Sequence, residues 1–224
     1  DMGKLEAGQF TLKHDPFMLS KVLTEVNMVS ETQAESCNVH FISKDIGEIE
    51  HDHVIGSPVY LKRIFLNFTS NAIKYNKVGG SIDTYTREVS FDGTTAWYEF
   101  KIKDSGIGMS ERFVKEELFD IFTQEEVDAR THYKGSGLGM SIVKQLVEAM
   151  NGTIEVESIL GKGTTFIFCL PFKINHPESS LPDTKESLSA ISEKSMKKDS
   201  TSSEVNSLNN NSLDGMHILL VEDN

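Results

Sequence analysis

The sequence contains few cysteines, few basic residues and no long apolar run. Its 224 residues include two cysteines, Cys37 and Cys169, and no CxxC motif or His/Cys cluster accompanies them. This argues against a disulfide scaffold and against a zinc site. No apolar stretch approaches the roughly 20 residues of a membrane-spanning helix, and no signal peptide is visible. We therefore expect no membrane contact by this chain and a cytoplasmic location, whether or not a longer protein carries a membrane anchor.

Basic residues are outnumbered by acidic ones. The 22 lysines and arginines face 34 aspartates and glutamates, which gives a formal net charge of −12. Such a surface repels nucleic acid and acidic lipid. We therefore expect no nucleic-acid partner, and an anionic ligand must be held by local hydrogen-bond donors.

The apolar pattern predicts a mixed α+β domain. Helical spacing predicts helices over 18–37, 59–75 and 141–150, and strands are predicted over 10–17, 39–46, 81–91 and 95–104, with a hairpin over 153–172. Asp92-Gly93 is a strong hairpin signal between two of these strands. The stretch 105–135 is charged and irregular. We predict a mixed β-sheet with helices on one face.

The composition changes towards the C-terminus. Residues 175–214 are rich in Ser, Asn, Lys and Glu, which predicts a flexible linker because too little apolar surface is present to offset ordering. The following MHILLVEDN, 216–224, predicts a buried parallel strand with Glu222 and Asp223 at its carboxyl end. The chain opens in mid-pattern and stops just after this apolar run, so we interpret it as a piece of a longer protein.

Three polar side chains share one face of the second predicted helix. Asn67, Asn71 and Lys74 are spaced four and three residues apart. An amide oxygen is a suitable Mg²⁺ ligand beside phosphate oxygens, so the pattern indicates a site for a metal-bound polyphosphate. The alternative interpretation is a solvated helix face.

Three glycine-containing motifs follow in the chain. In the first, Asp104 ends a strand and can accept a hydrogen bond from an exocyclic amine such as that of adenine, while Gly106 and Gly108 allow close approach of a ligand. In the second, the glycines of 135–139 precede a helix and can bind an anion. The third, 161–165, brings Thr165 towards the same purine. Each motif alone is also compatible with an ordinary turn.

The order of these motifs is typical of one family. The chain resembles the catalytic ATP-binding domain of sensor histidine kinases, part of the Bergerat-fold superfamily with gyrase, Hsp90 and MutL. The resemblance covers about residues 9–173, and it rests on the segments 67–75, 104–109, 135–139 and 161–165 and on the phenylalanines of LFDIFTQEE. It implies a two-layer α+β sandwich of a mixed β-sheet and helices.

The resemblance also implies a domain order, that of a hybrid histidine kinase. Residues 1–8 would end a dimerisation and phosphoacceptor helix, 9–174 would be the catalytic domain, 175–214 a linker, and 215–224 the first strand of a truncated receiver domain. The implied partners are the protein's own dimerisation and receiver domains, with a homodimer in the full-length protein and a phosphorelay of two-component signalling as the setting.

The family roles carry over residue by residue, with ATP and Mg²⁺ as implied cofactors. Asn71 would ligate Mg²⁺ with ATP, Asp104 would bind the adenine amine, and Glu222 and Asp223 would bind Mg²⁺ in a completed receiver. Residues 110–134 would form a lid over ATP. The implied ATP-binding residues are Asn67, Asn71, Lys74, Tyr75, Asp104, Gly106, Gly108, Met109, Phe122, Arg130, Lys134, Gly135, Gly137, Leu138, Gly139 and Thr165, with Phe119 and Phe122 as apolar anchors of the lid.

Asn67 distinguishes between activities within the superfamily. Gyrase-like and MutL-like ATPases carry a glutamate at this position, and an amide cannot act as a general base. The resemblance therefore implies phosphoryl transfer to a histidine of the absent dimerisation domain, and no catalytic residue is assigned within this chain. An ATP-hydrolysing enzyme and a nucleotide-free interaction module remain the alternatives.

Overall fold

A computed structural model describes residues 13–44, 49–123 and 137–175. Within these ranges it contains seven strands and four helices. In chain order they are β1 (Asp15–Met18), α1 (Leu19–Ser36), β2 (His40–Lys44), β3 (His53–Gly56), α2 (Pro58–Lys74), β4 (Ser81–Phe91), β5 (Thr95–Asp104), α3 (Glu111–Glu116), α4 (Gly139–Ala149), β6 (Thr153–Ile159) and β7 (Gly163–Ile174). No helix in this part of the chain combines the length and the apolar character that crossing a bilayer requires.

All seven strands belong to one sheet. The order is β1-β3-β7-β5-β4-β2, and β6 pairs with the first half of β7. β2 runs parallel to β4, whereas the other neighbouring pairs are antiparallel. The predicted mixed sheet is therefore confirmed.

Aromatic side chains join the sheet to the helix layer. Strand alternation turns Phe100 of β5 and Phe168 of β7 towards α2, where the ring of Phe65 lies 5.3 Å from each of them, edge-on. The ring of Phe68 lies 4.6 Å from that of Phe166. These rings are buried, so the core lies between one face of the sheet and the helices.

Helix α2 positions polar side chains beside this core. Pro58 occupies its first turn, where a missing N–H costs nothing. The residues that it buries follow the spacing of one helix face; they are Leu61, Ile64, Phe65, Phe68, Thr69, Ala72 and Ile73. Because that face is fixed against the sheet, the flanking Asn67, Asn71 and Lys74 are held at the edge of the core.

Some strands and helices differ from the sequence-based prediction. β3 was not predicted, because four residues are too few to show alternation and this strand depends on pairing with β1 and β7. β1 covers Asp15–Met18 instead of the predicted 10–17, and Pro16 lies inside it, which an edge strand tolerates. The predicted irregular stretch contains α3, whose start is capped by Ser110 Oγ accepting from the Phe113 N–H at 3.2 Å.

Candidate functional site

A cavity of about 260 Å³ opens where β5 ends, between α2, the start of α4 and the turn of the β6–β7 hairpin. It brings together residues from separate motifs that are up to 100 positions apart in the chain. The predicted site residues that line it are Asn67, Asn71, Lys74, Tyr75, Asp104, Gly108, Met109, Gly137 and Gly139. Other lining residues are Ala72, Ile107, Phe113, Leu118, Thr123, Met140, Thr164 and Phe166.

Asp104 is the buried acid of this cavity, with 8% of its surface exposed. Its Oδ1 accepts hydrogen bonds from the backbone N–H groups of Gly106 at 2.8 Å and Thr164 at 3.3 Å. Oδ2 has no hydrogen-bond partner among the described residues. Burial raises the pKa of the Asp104 carboxyl, and the two N–H donors act in the opposite direction. The free oxygen is an acceptor available to a ligand.

The two glycines after Asp104 have different roles. A Cβ on Gly106 would lie 2.4 Å from the carbonyl oxygen of Tyr75, so this residue packs behind the cavity instead of lining it as predicted. Its contribution is the N–H that holds Asp104. Gly108 does line the cavity; its φ is 65°, and a Cβ there would lie 2.1 Å from the carbonyl oxygen of Ile159.

The polar side chains of α2 form another part of the cavity wall. Asn71 Nδ2 contacts Met140 Sδ at 3.4 Å, so its amide N–H side faces the thioether. Asn67 Nδ2 donates to the carbonyl of Arg63 at 2.9 Å, one turn earlier. The side-chain nitrogens of Asn67 and Asn71 therefore both contact protein atoms. Lys74 Nζ lies 2.9 Å from the hydroxyl of Tyr75.

The second glycine motif meets the phenylalanine segment through the backbone. The N–H of Phe122 donates to the carbonyl of Gly137 at 3.1 Å, and Gly139 begins α4 after Leu138, the N-cap residue. The Phe122 side chain is 71% exposed, which contradicts its predicted role as an apolar anchor. Its φ of 65° sets the backbone, not the ring, against the glycine loop. Phe119 does pack against the core.

The predicted site residue Thr165 does not line the cavity, whereas its neighbour Thr164 does. Phe166 and Phe168 face the helix layer, and strand alternation places Thr164 on the same face. Thr164 accordingly lines the cavity, whereas Thr165 pairs with Lys103 and points to the other face of the sheet. The sequence Gly-Thr-Thr-Phe conceals this register because both threonines are buried.

Several predicted site residues lie outside the described part of the chain. These are Arg130, Lys134, Gly135, Glu222 and Asp223. The predicted phosphoacceptor-helix segment before residue 13 and the predicted linker and receiver segments after residue 175 also lie outside it. The apolar walls formed by Phe113, Leu118 and Met140 were not predicted as site residues. Phe113 and Leu118 belong to a short helix and turn that give no periodic signal.

Comparison with known proteins agrees with this arrangement. The histidine kinase-, DNA gyrase B- and HSP90-like ATPase family matches residues 56–174. The chain is 33% identical over 175 residues to the signal transduction histidine-protein kinase BarA of Escherichia coli K12, covering 78% of this chain and 19% of BarA. It is 32% identical over 176 residues to the autoinducer 2 sensor kinase/phosphatase LuxQ of Vibrio parahaemolyticus, covering 77% and 20%. The chain thus spans about a fifth of the length of these relatives.

A solved structure shows the same fold. Full-length ShkA in complex with AMPPNP matches with a TM-score of 0.62 at 24% identity, covering 77% of this chain and 34% of the ShkA chain. The α+β fold with a mixed sheet, expected from the motif order, is confirmed by this likeness and by the strand pairing. On the match over residues 56–174, the chain belongs to the family of histidine kinase-, DNA gyrase B- and HSP90-like ATPases.

Proposed function

We propose that this chain is the ATP-binding kinase core of a hybrid sensor histidine kinase, which transfers the γ-phosphoryl group of ATP to a histidine of a dimerisation domain. The observation that carries the proposal is that one cavity brings Asp104 together with Asn67, Asn71 and Lys74. Family membership supports ATP as the ligand, and the histidine kinases among the relatives support this acceptor.

The Asp104 side of the cavity suits a purine with an exocyclic amine. The free Oδ2 accepts a hydrogen bond, and the surrounding Ile107, Met109 and Phe166 supply apolar surface for a flat ring. A hydrogen bond to an ionised, buried acceptor contributes about 1.5–3 kcal/mol. The base would therefore be both oriented and bound here.

The Asn71 side of the cavity suits phosphates with Mg²⁺. The Asn71 amide nitrogen faces Met140. This leaves the amide oxygen Oδ1 available as a metal ligand, and Mg²⁺ prefers hard oxygen ligands of this type. When bound, the ion would neutralise charge on the phosphates. Lys74 lies on the same wall and would contact phosphate, and Gly137 and Gly139 bring backbone N–H groups to the N-terminus of α4.

Asn67 favours transfer to a protein over hydrolysis. Its amide nitrogen donates to the Arg63 carbonyl, and an amide has no basic site that could take a proton from water. In the proposed reaction a neutral imidazole nitrogen attacks the γ-phosphorus, the bond to the bridging oxygen breaks, and ADP leaves. The phosphohistidine would then pass its phosphoryl group to a receiver aspartate.

The partners follow from this proposed reaction. The histidine would come from the dimerisation domain of a homodimer, and the acidic pair Glu222 and Asp223 would bind Mg²⁺ in a completed receiver. We expect nucleotide binding itself to require neither the receiver nor the dimerisation domain, because the described residues that line the cavity all lie within 67–166.

The test has two arms. The chain is titrated with ATP in the presence and absence of Mg²⁺, and it is then mixed with a separately produced dimerisation domain of the same protein and γ-labelled ATP. We expect ATP binding and label on a histidine of the added domain. ATP binding with release of free phosphate and no labelled histidine, at any concentration of that domain, would favour hydrolysis and overturn the kinase proposal.

A further inference from the structure

Ser158 lies directly behind the base side of the cavity. It is in β6, and it contacts Met109, Gly163 and Thr164 without lining the cavity itself. Each of these neighbours borders either the glycine motif after Asp104 or the turn of the β6–β7 hairpin. Ser158 therefore connects three segments that meet around the proposed adenine site.

Three polar atoms surround the Ser158 hydroxyl. The backbone N–H of Met109 donates to Ser158 Oγ at 2.8 Å, the carbonyl oxygen of Gly163 lies at 3.2 Å, and Thr164 Oγ1 lies at 2.9 Å. A serine hydroxyl has one proton to donate and two lone pairs to accept with. The number of contacts thus equals the capacity of the group.

Only one arrangement of protons satisfies all three contacts. The Gly163 carbonyl cannot donate, so Ser158 must donate its single proton to it. The Met109 N–H can only donate. The remaining lone pair of Ser158 Oγ must therefore accept the proton of Thr164. In the opposite arrangement, Ser158 would donate to Thr164. Ser158 Oγ and the carbonyl oxygen of Gly163 would then face each other at 3.2 Å without a proton between them.

This arrangement determines what Thr164 presents to a ligand. With its proton directed to Ser158, Thr164 Oγ1 has only lone pairs left for the cavity that it lines. When Asp104 is ionised, its carboxylate beside Thr164 is also an acceptor only. The backbone N–H of Thr164 is already directed at Asp104 Oδ1. The side chains at this end of the cavity therefore offer acceptors and no donor.

We propose that Ser158 is a specificity-determining positioning residue, which holds the Thr164 hydroxyl as an acceptor and so makes the site select a 6-amino purine over a 6-oxo purine. A 6-amino group can donate to these acceptors, whereas a 6-oxo group would place a further acceptor against them. The inference rests on the proposed function, because it concerns the base of the nucleotide bound there.

The variant Ser158→Ala separates this role from a general structural one. Loss of the hydroxyl frees the Thr164 proton, which can then rotate to donate to a 6-oxo group. It also leaves the Met109 N–H and the Gly163 carbonyl without their partner, which weakens the site for every nucleotide alike. This common loss cancels in the ratio of the dissociation constants for ITP and ATP. The ratio therefore measures only how the site discriminates between the two bases.

The experiment titrates ATP and ITP, which differ at the purine C6 position, into the whole chain and its variants. We expect wild type to bind ITP about a hundredfold more weakly than ATP, and Ser158→Ala to reduce this ratio about tenfold. Ser158→Thr, which keeps the hydroxyl, should preserve the wild-type ratio. Ser158→Cys replaces the alanine variant if thermal unfolding shows that the latter is not folded.

A double-mutant cycle tests whether Ser158 acts through Thr164. In a Thr164→Val background, Ser158→Ala should change the ITP/ATP ratio no further. The inference is overturned if folded Ser158→Ala keeps the wild-type ITP/ATP ratio, or if Ser158→Ala changes that ratio equally in the Thr164→Val background. ATP binding by wild type would in either case leave the proposed function standing. Absence of ATP binding by wild type overturns both.

Discussion

Two largely shielded carboxyl groups lie at opposite ends of the β4–β5 hairpin, and their hydrogen bonds differ. Asp104 ends β5 beside Ile82, and Glu88 lies in β4 beside Tyr98, near the hairpin turn. Asp104 is buried and Glu88 is half-buried, with 11% of the Glu88 side chain exposed. The clearest difference between them is in their hydrogen bonds.

Both oxygens of Glu88 are bonded within the protein. Oε1 lies 2.7 Å from Nδ1 of His51, and Oε2 accepts from the His51 backbone N–H at 3.0 Å. The imidazole is further fixed by the ring of Phe91, whose centroid lies 4.0 Å away, and the His51 carbonyl accepts from the Tyr98 hydroxyl. Glu88 has no acceptor oxygen left over, which is the pattern of a group that stabilises the fold.

Asp104 concentrates its internal hydrogen bonds on one oxygen. Oδ1 accepts from both Gly106 and Thr164, and Oδ2 has no partner in the described ranges. Burial without full compensation raises the pKa of Asp104. The comparison teaches that a shielded carboxyl need not be fully bonded within the protein: the unused acceptor of Asp104, maintained at a cost in stability, is what its proposed binding role requires.

The largest effect is expected for Asp104→Asn. The amide keeps an acceptor for Gly106 but can present an N–H₂ group to the amine of the base, so ATP affinity should fall about a hundredfold. Since the charged form is disfavoured by burial, the free energy of unfolding at pH 7 should not decrease. Calorimetric titration and urea unfolding measure both. A large loss of stability would instead make Asp104 resemble Glu88, and the comparison would fail.

The reverse result is expected for Glu88→Ala. Two hydrogen bonds to His51 are lost, one of them from a backbone N–H, and the free energy of unfolding should fall by about 2 kcal/mol. ATP affinity should stay within about twofold of wild type, because the change is remote from every cavity-lining residue. Urea unfolding measures the stability, and calorimetric titration measures the ATP affinity. A parallel loss of ATP affinity would show that the two ends of the hairpin are coupled.

A smaller, pH-dependent difference should separate wild type from Asp104→Asn. The folded-state pKa of Asp104 is raised above its ordinary value of 3.8, so the protonated carboxyl stabilises the fold fully below pH 3.8. That stabilisation is lost as the pH rises through the raised pKa. The difference in unfolding free energy, wild type minus variant, should thus decrease with rising pH in this window. A difference that increases with pH would contradict the direction of the shift.

The site was easier to predict than its walls. Asn67, Asn71 and Asp104 line one cavity, and they could be selected from the sequence because helical spacing and a strand end place polar groups without any knowledge of distant contacts. Thr164 was missed because the register of β7 is set by pairing with β5 and β6, which a local pattern does not contain. The apolar lining by Phe113 depends on a helix of six residues, too short for a periodic signal.

The distinction between local pattern and distant contacts also explains which helices and strands could be predicted. Helices α1 and α2 and the long strands β4 and β5 show their periodicity directly, and their predicted bounds agree with the structure to within one residue. β3 exists because β1 and β7 offer hydrogen bonds on either side of four residues. Tertiary pairing, and not intrinsic preference, determines such short strands.

The smallest effect is expected for Tyr98→Phe, which changes the Glu88 end of the hairpin alone. The Tyr98 hydroxyl donates to the His51 carbonyl, and burial raises the pKa of the phenol above its ordinary value, so the donor proton is retained through neutral and mildly alkaline pH. Removing it should lower the free energy of unfolding by about 1 kcal/mol, since the ring stays packed while one acceptor loses its partner. Urea unfolding at pH 7 measures this, with ATP affinity expected to be unchanged. Because Tyr98 contacts the residue that holds both oxygens of Glu88, its effect should shrink in a Glu88→Ala background. Strict additivity of the two losses would show that His51 is held independently by each neighbour and that this end of the hairpin is not one hydrogen-bonded unit.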